Sequence, residues 1–376
     1  MKKWGARLAL AGGSILLAAL LLEGALRLVA PQQVLRIHPN VWVPLEGGLG
    51  HGLAPNLDTV MNTGERDVRF RTDERGHRIG HAGAGTPPPD LRILALGDSF
   101  LEAMAVPYPD TMTARLERAL ADTLSVRVQL VNTGVSGSSP NRYRLVAQRE
   151  LARQPHAAVV VFLFLGNDVV KRRVESQPPR APTPRHPLRW PESLAFREWL
   201  DAIVHPLYTH LREQSHLVVL LKRRWLGAAI RFGLTDHEFP EVFLRAEAEA
   251  DRWKVTAGLC EEIAREAGRR GVPALFVLLP PDYVVDRALG RAFARGSGLS
   301  ADDVDLDQAA RILSTRLEAA ELRVIDATEG LRAAGPHLYG SVDRHLGPRG
   351  HEVVARIVAP ALIALVEGGA GPGPSK

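Results

Sequence analysis

The stretch Leu91-Arg92-Ile93-Leu94-Ala95-Leu96-Gly97-Asp98-Ser99-Phe100 decides the fold. Its apolar run, Ile93 to Leu96, suits a short strand covered on both faces. Gly97 then allows a sharp change of direction. Ser99 is left at the carboxyl end of the strand, where open α/β sheets keep their ligand crevices. A serine there is either a nucleophile or a cap for the next helix, with Asp98 as a turn residue. Three letters cannot choose between these, so the choice falls to the rest of the chain.

Downstream, strand and helix alternate. Met112, Leu116, Ala119, Leu120 and Leu124 share one helix face, with Asp110 expected as its N-cap. Val126 to Val131 reads as a strand ending in Asn132-Thr133-Gly134-Val135-Ser136-Gly137. A helix around Arg142 to Gln154 precedes the most apolar strand, Ala157 to Leu165, which ends in Gly166-Asn167-Asp168. After a break come a helix from Ala246 to Arg270, a strand from Pro273 to Leu279, a helix from Leu306 to Ala320 and a short strand from Leu322 to Ile325. Val353 to Leu365 closes the pattern as a helix containing Pro360. Five strands alternating with helices predict a mostly parallel sheet with helices on both faces.

The break, residues 171 to 245, opens with Pro178, Pro179, Pro182, Pro184 and Pro187. It continues with amphipathic pieces, Trp199 to Leu211 and Leu217 to Trp225. We read it as a helical insertion, either a cap over the strand ends or a peripheral packing element. Residues 31 to 90 are rich in Gly, Pro and Asn and form an extension. Within it Val68-Arg69-Phe70-Arg71-Thr72 is a candidate edge strand, and Gly83 to Pro89 is a linker by composition. The main domain is expected over 91–367, with a disordered tail at 368–376.

The N-terminus sets the location. Lys2, Lys3 and Arg7 precede the uncharged run Leu8 to Leu22, and apolar residues resume after Glu23 through Ala30. Glu23 and Arg27 stand four apart, acid first, and can pair on one helix face. Residues 4–30 are expected to make a single uncleaved inner-membrane span with Trp4 at one interface. A cleaved signal peptide is the competitor, but Leu28-Val29-Ala30 is not a small-x-small site. Basic residues before the span put the N-terminus in the cytoplasm and the rest of the chain on the far, extracytoplasmic side.

Composition narrows the rest. In 376 residues the net charge is only +5, and basic runs such as Lys171-Arg172-Arg173 and Lys222-Arg223-Arg224 are short. No zinc-finger or RNA-binding signature appears, so a nucleic-acid partner is not expected. The second basic run, beside Leu217 to Leu221 and Trp225, is a candidate for contact with anionic lipid. Cys260 is the only cysteine and sits at core spacing with Trp253, Ala257, Ile263, Ala264 and Ala267, as a buried thiol would. The thirteen histidines show no H-E-x-x-H or comparable metal-ligand spacing. Neither a cofactor nor a metal is implied, and the sequence leaves the oligomeric state open.

Three strand ends carry polar residues: Gly97-Asp98-Ser99, the turn to Gly137, and Gly166-Asn167-Asp168. Ends of neighbouring parallel strands share one crevice. A fourth segment, Asp343-Arg344-His345, precedes the last helix. This set matches what acyl transfer needs. A serine hydroxyl requires a base, which His345 supplies, and Asp343 can orient the ring and stabilise the imidazolium. The backbone N–H groups of Ser99 and Gly137 and the Asn167 side-chain amide are candidate oxyanion donors. His351 is the rival base, but it falls within the closing helix. Asp168 is expected to cap a helix and Asp98 to be structural.

On these four blocks the chain resembles the SGNH, or GDSL, hydrolases over residues 91 to about 360. Gly97-Asp98-Ser99 matches the first block, Gly137 the second, Gly166-Asn167-Asp168 the third, and Asp343 with His345 the fourth. The resemblance implies a three-layer α/β/α sandwich of the flavodoxin-like kind and a Ser-His-Asp site acting on esters. It also implies an oxyanion hole of serine, glycine and asparagine. Three features depart from common patterns. The last pair is D-x-H rather than D-x-x-H, which is similar to envelope polysaccharide O-acetyltransferases of the alginate type. Gly166 directly precedes Asn167. Leu101 stands where a G-x-S-x-G elbow needs its last glycine, which argues against the α/β-hydrolase fold. The expected activity is hydrolysis of carboxylic esters, such as O-acetyl groups on envelope glycans or lipid esters. The alternatives are acyl transfer to a polysaccharide from the same serine, or a non-catalytic envelope binding protein that retains the fold.

Overall fold

The computed structural model describes residues 2–38, 40–80, 88–176, 211, 213–231 and 239–369. Most of the expected linker at Gly83 to Pro89, the proline run, nearly all of Trp199 to Leu211 and the tail beyond 369 lie outside these residues.

The sequence's central strand is β6, Leu91–Leu96, after five short strands: β1 Trp42–Leu45, β2 Gly50–Leu53, β3 Asp58–Met61, β4 Val68–Thr72 and β5 Arg78–Ile79. The parallel partners of β6 are β7, Val128–Asn132, on one side and β8, Ala158–Phe164, on the other. Beyond β8 lie β9, Ala274–Leu279, and β10, Arg323–Asp326. The parallel core therefore holds the five strands expected. The sheet itself has eight, in the order β10-β9-β8-β6-β7-β5-β4-β3, because the extension adds three antiparallel strands beside β7. Val68 to Thr72 is not an edge strand, since β3 and β5 flank it. The alternation of buried Val68 and Phe70 with exposed Arg69 identified a strand with one wet face, but not its neighbours.

Alternate residues of the core strands feed two apolar layers. Leu94, Leu96, Val159, Val161, Phe276 and Leu278 pack under α4 (Pro140–Arg153), α6 (Arg252–Gly268) and α9 (Gln308–Ala319). Ile93, Ala95, Val160, Phe162, Leu275 and Val277 pack under α3 (Met112–Leu124), α10 (Thr328–Ala333) and α11 (Pro348–Gly369). Burial on both faces is why these strands read as continuous apolar runs. Cys260 is buried on α6 among the expected residues, and burial pushes its thiol pKa up. Thr111, not Asp110, caps α3, accepting from Ala114 N at 3.3 Å. α11 runs through Pro360. α1, Lys2–Val29, is long and apolar enough over Leu10–Val29 to cross a membrane.

A third, smaller core joins the extension to the strand ends. Val41, Leu53, Met61 and Phe70 pack with Met104, just past Ser99, and Val135, in the turn after β7. The extension is thus built against the loops that carry the polar blocks.

Candidate active site

The order β8-β6-β7 brings Asn167, Ser99 and the 133–137 turn to one rim. Ser99 begins a four-residue helix, α2, Ser99–Glu102, but does not cap it. Asp98 is the cap, accepting from Phe100 N at 2.9 Å. The other oxygen of Asp98 accepts from Asn167 Nδ2 at 3.1 Å. Its carboxyl is fully buried, and that burial raises its pKa. Asp98 therefore ties the Ser99 turn to the Asn167 turn while the Ser99 hydroxyl stays free of capping work. One amide hydrogen of Asn167 is used in this tie, and the other is left to point elsewhere.

His345 arrives from the opposite end of the chain. Its Nε2 lies 2.8 Å from Ser99 Oγ, within proton-transfer reach. The ring also sits 4.9 Å from Phe100, which stacks on Phe164 at 3.9 Å. The loop carrying His345 is pinned on both flanks. Gly340 N donates to His345 O at 2.7 Å and Gly347 N to Leu338 O at 2.8 Å. Between Asp343 and His345, Arg344 adopts a left-handed conformation with φ of 60°. Its guanidinium grips both oxygens of Asp282 at 2.7 Å, across the ring of Tyr283. A planar fork on a carboxylate fixes orientation as well as position, so the strained residue is held where it turns the chain.

Asp343 lies beside the imidazole but does not bond to it through its carboxylate. Nδ1 of His345 faces the backbone carbonyl of Asp343 at 3.0 Å, while the nearer carboxylate oxygen is 4.0 Å away. That oxygen accepts instead from His345 N at 3.1 Å, and the other accepts from Thr63 Oγ1 at 2.7 Å. Glu65 accepts from Val342 N and, at 3.3 Å, from Asp343 N. Both helpers belong to the extension. The acceptor that fixes the ring's tautomer is thus a peptide carbonyl, with a carboxylate charge close behind it.

Gly137 is exposed at φ of 76°, and a side chain there would meet open space, so the turn geometry alone asks for glycine. Gly134 is required for packing, because a Cβ would lie 2.4 Å from Glu102 N. The buried Glu102 carboxylate receives both Ser136 N and Ser136 Oγ, and His51 Nε2 lies 3.1 Å from Ser136 O. Beneath, the buried Arg78 guanidinium donates to the carbonyls of Glu102, Ala103 and Val106 at 2.5 Å each. Glu102 thus joins the serine helix to the Gly137 turn.

His351 takes no part. It is buried in α11, where its Nδ1 accepts from Met112 N at 3.0 Å, and burial pulls its pKa down to about 3. Asp168 caps no helix. It accepts from Phe164 N at 2.8 Å and from Tyr143 OH at 2.9 Å, folding the turn after β8 back on itself. Burial raises its pKa well above the usual carboxylate range. Thr63, Glu65, Arg78 and Glu102 were missed from sequence. Only Glu102, an acid in an otherwise apolar run three residues after Ser99, left a signal that could have been followed. Among the described residues no three His, Cys, Asp or Glu gather as metal ligands.

So arranged, Ser99 Oγ stands within proton-transfer reach of His345 Nε2 at the rim that also bears the 133–137 turn and Asn167. No family model and no curated protein matches it. Among solved structures it is similar to the lipase/acylhydrolase from Enterococcus faecalis, at 12% identity and a TM-score of 0.39, covering 73% of this chain and 96% of that one. It is similar to the acetyl xylan esterase AlAXEase, at 11% identity and a TM-score of 0.40, covering 72% and 100%. It is also similar to a member of the lipolytic G-D-S-L protein family from Veillonella parvula, at 11% identity and a TM-score of 0.36, covering 72% and 97%.

Proposed function

We propose that the protein is a serine ester hydrolase of the SGNH type, held at the inner membrane by α1 with its site on the outer side. The observation that carries this reading is the 2.8 Å contact between Ser99 Oγ and His345 Nε2 at the rim that also bears Gly137 and Asn167.

In the first half-reaction Ser99 Oγ bonds to the ester carbonyl carbon as its proton passes to His345 Nε2. The carbonyl electrons move onto oxygen, which the N–H groups of Ser99 and Gly137 and the free hydrogen of Asn167 stabilise. Collapse breaks the bond to the alcohol, which leaves with the proton held on His345. In the second half-reaction water gives its proton to His345 and attacks the acyl-Ser99 carbonyl; collapse breaks the bond to Ser99 Oγ, which takes the proton back from His345, and the acid leaves. Asp343 acts twice, its carbonyl holding the Nδ1 proton and its carboxylate stabilising the imidazolium.

The substrates proposed are O-acyl groups on envelope glycans or lipid esters. The test is hydrolysis of p-nitrophenyl esters of graded chain length by the full chain and by Ser99→Ala. We expect loss of turnover by several orders of magnitude with folding unchanged; equal rates overturn the assignment. Adding a glycan acceptor to the same assay separates hydrolysis from transfer, since a transferase would release p-nitrophenol faster with the acceptor present.

A further inference from the structure

One feature of α1 is out of keeping with a bare anchor. Over Leu10–Val29 the helix is almost wholly exposed, but Ala19, Glu23 and Leu26 are half-buried, a stripe at i, i+4 and i+7. They face α5, His216–Arg231, which belongs to the insertion. The Glu23 carboxylate receives the first donors of that helix: Ser215 Oγ at 2.8 Å, His216 N at 3.1 Å and Leu217 N at 2.8 Å. Arg27, paired to Glu23 at 2.7 Å, donates to Gln214 O at 2.8 Å, and Gln32 N donates to His216 Nδ1 at 2.7 Å. An acid inside an apolar span needs partners; here its partners are the unsatisfied N–H groups of a second helix.

The exposed side of α5 is amphipathic in a particular way. Leu221 and Trp225, one turn apart, are each 58% exposed, and Lys222 and Arg224 are exposed between them. At about 1.5 Å per residue, its 16 residues span about 24 Å, short of the roughly 30 Å of a bilayer core, and its cations forbid burial at that depth. It begins near the outer end of the span and touches α8, Arg287–Gly296, of the main domain. A helix so placed is tied to the span at its N-terminus and carries a charge pattern suited to anionic headgroups.

We propose that α5 lies along the outer surface of the bilayer, docked on the anchor through Glu23. Leu221 and Trp225 sit at the headgroup–acyl boundary, and Lys222 and Arg224 meet anionic phospholipid. The site is then held at a fixed attitude to the membrane rather than on a free tether. The proposal rests on α1 being the anchor but not on the chemistry at Ser99.

The experiment uses the full chain in nanodiscs of phosphatidylcholine with phosphatidylglycerol. An environment-sensitive thiol probe is attached at Trp225→Cys, at Leu16→Cys in the span, or at Asp122→Cys on the opposite layer; Cys260 is buried and stays unlabelled. We expect blue-shifted emission at 225, quenched more by lipids spin-labelled near the headgroup than by those labelled deep in the chain. We expect deep quenching at 16 and none at 122. Lys222→Glu with Arg224→Glu should abolish the quenching at 225 and spare that at 16. Solvent-like, unquenched emission at 225 with deep quenching at 16 overturns the proposal and leaves the anchor standing. Loss of quenching at both positions overturns both. Ester hydrolysis, assayed in parallel, reports separately on Ser99.

Discussion

Asp343→Asn distinguishes a ring held by a peptide carbonyl from one held by a carboxylate. His345 Nδ1 is 3.0 Å from the Asp343 carbonyl and 4.0 Å from its carboxylate. The substitution keeps the carbonyl. Thr63 can reverse its hydroxyl to accept from the new amide, while the remaining oxygen still serves His345 N. What is lost is the charge. At 4.0 Å, with an effective dielectric of about 40 for a pair partly open to water, that charge stabilises the imidazolium by about 2 kcal/mol. The expected result is a roughly 30-fold fall in kcat/KM. Where the carboxylate itself fixes the tautomer, the same substitution costs about 10⁴-fold. The assay is steady-state hydrolysis of p-nitrophenyl acetate, with His345→Ala as the reference for complete loss. If Asp343→Asn is as inactive as His345→Ala, the carboxylate and not the carbonyl holds the working ring, and the reasoning fails.

Glu65→Ala removes the acceptor for Val342 N and Asp343 N, and charge-assisted bonds of this kind contribute about 1.5–3 kcal/mol. Phosphonylation of Ser99 should slow by about tenfold or more in a variant that still folds, with a melting temperature lowered by some degrees; an unchanged rate would show that the loop stands without the extension. His351→Gln should lower stability through the lost acceptor for Met112 N but leave Ser99 reactive, and an inactive yet folded variant would make His351 the base. Glu117, half-buried beside Tyr108 and Leu130, has its carboxyl pushed up from 4.5 to about 7 by its partial removal from water. The folded state then holds a proton that the unfolded chain gives up, so stability is full below about pH 4.5, declines as pH rises and levels off above about 7. The decline amounts to roughly 3 kcal/mol. Urea denaturation at pH 5 and pH 8 should show it in the natural chain and not in Glu117→Gln.

The parallel core was legible because burial on both faces leaves unbroken runs such as Val159 to Leu163, and because polar residues punctuate the ends of those runs. The extension was harder to place. Arg78-Ile79 is too short to show a period, and Asp58 to Met61 carries little apolar signal, so both went unread, as did Trp42–Leu45 and Gly50–Leu53. Within the site, Ser99 and His345 could be paired from residue type and position, and the two side chains lie 2.8 Å apart. Thr63 and Glu65 could not be read, since nothing local marks a residue whose partner lies some 280 positions away. Which atoms of Asp343 face the ring was not legible for a related reason. A spacing of two puts a carboxylate near a ring, but only the backbone turn at Arg344 decides whether the carboxylate or its own carbonyl faces Nδ1.

Every step proposed for the site requires that His345 activate Ser99. The most direct measurement is peptide mapping by mass spectrometry after treatment with a fluorophosphonate, comparing the natural chain with His345→Ala. A single adduct on Ser99 is expected in the natural chain and none in the folded variant. An adduct on another residue, or equal labelling of Ser99 without His345, would contradict it.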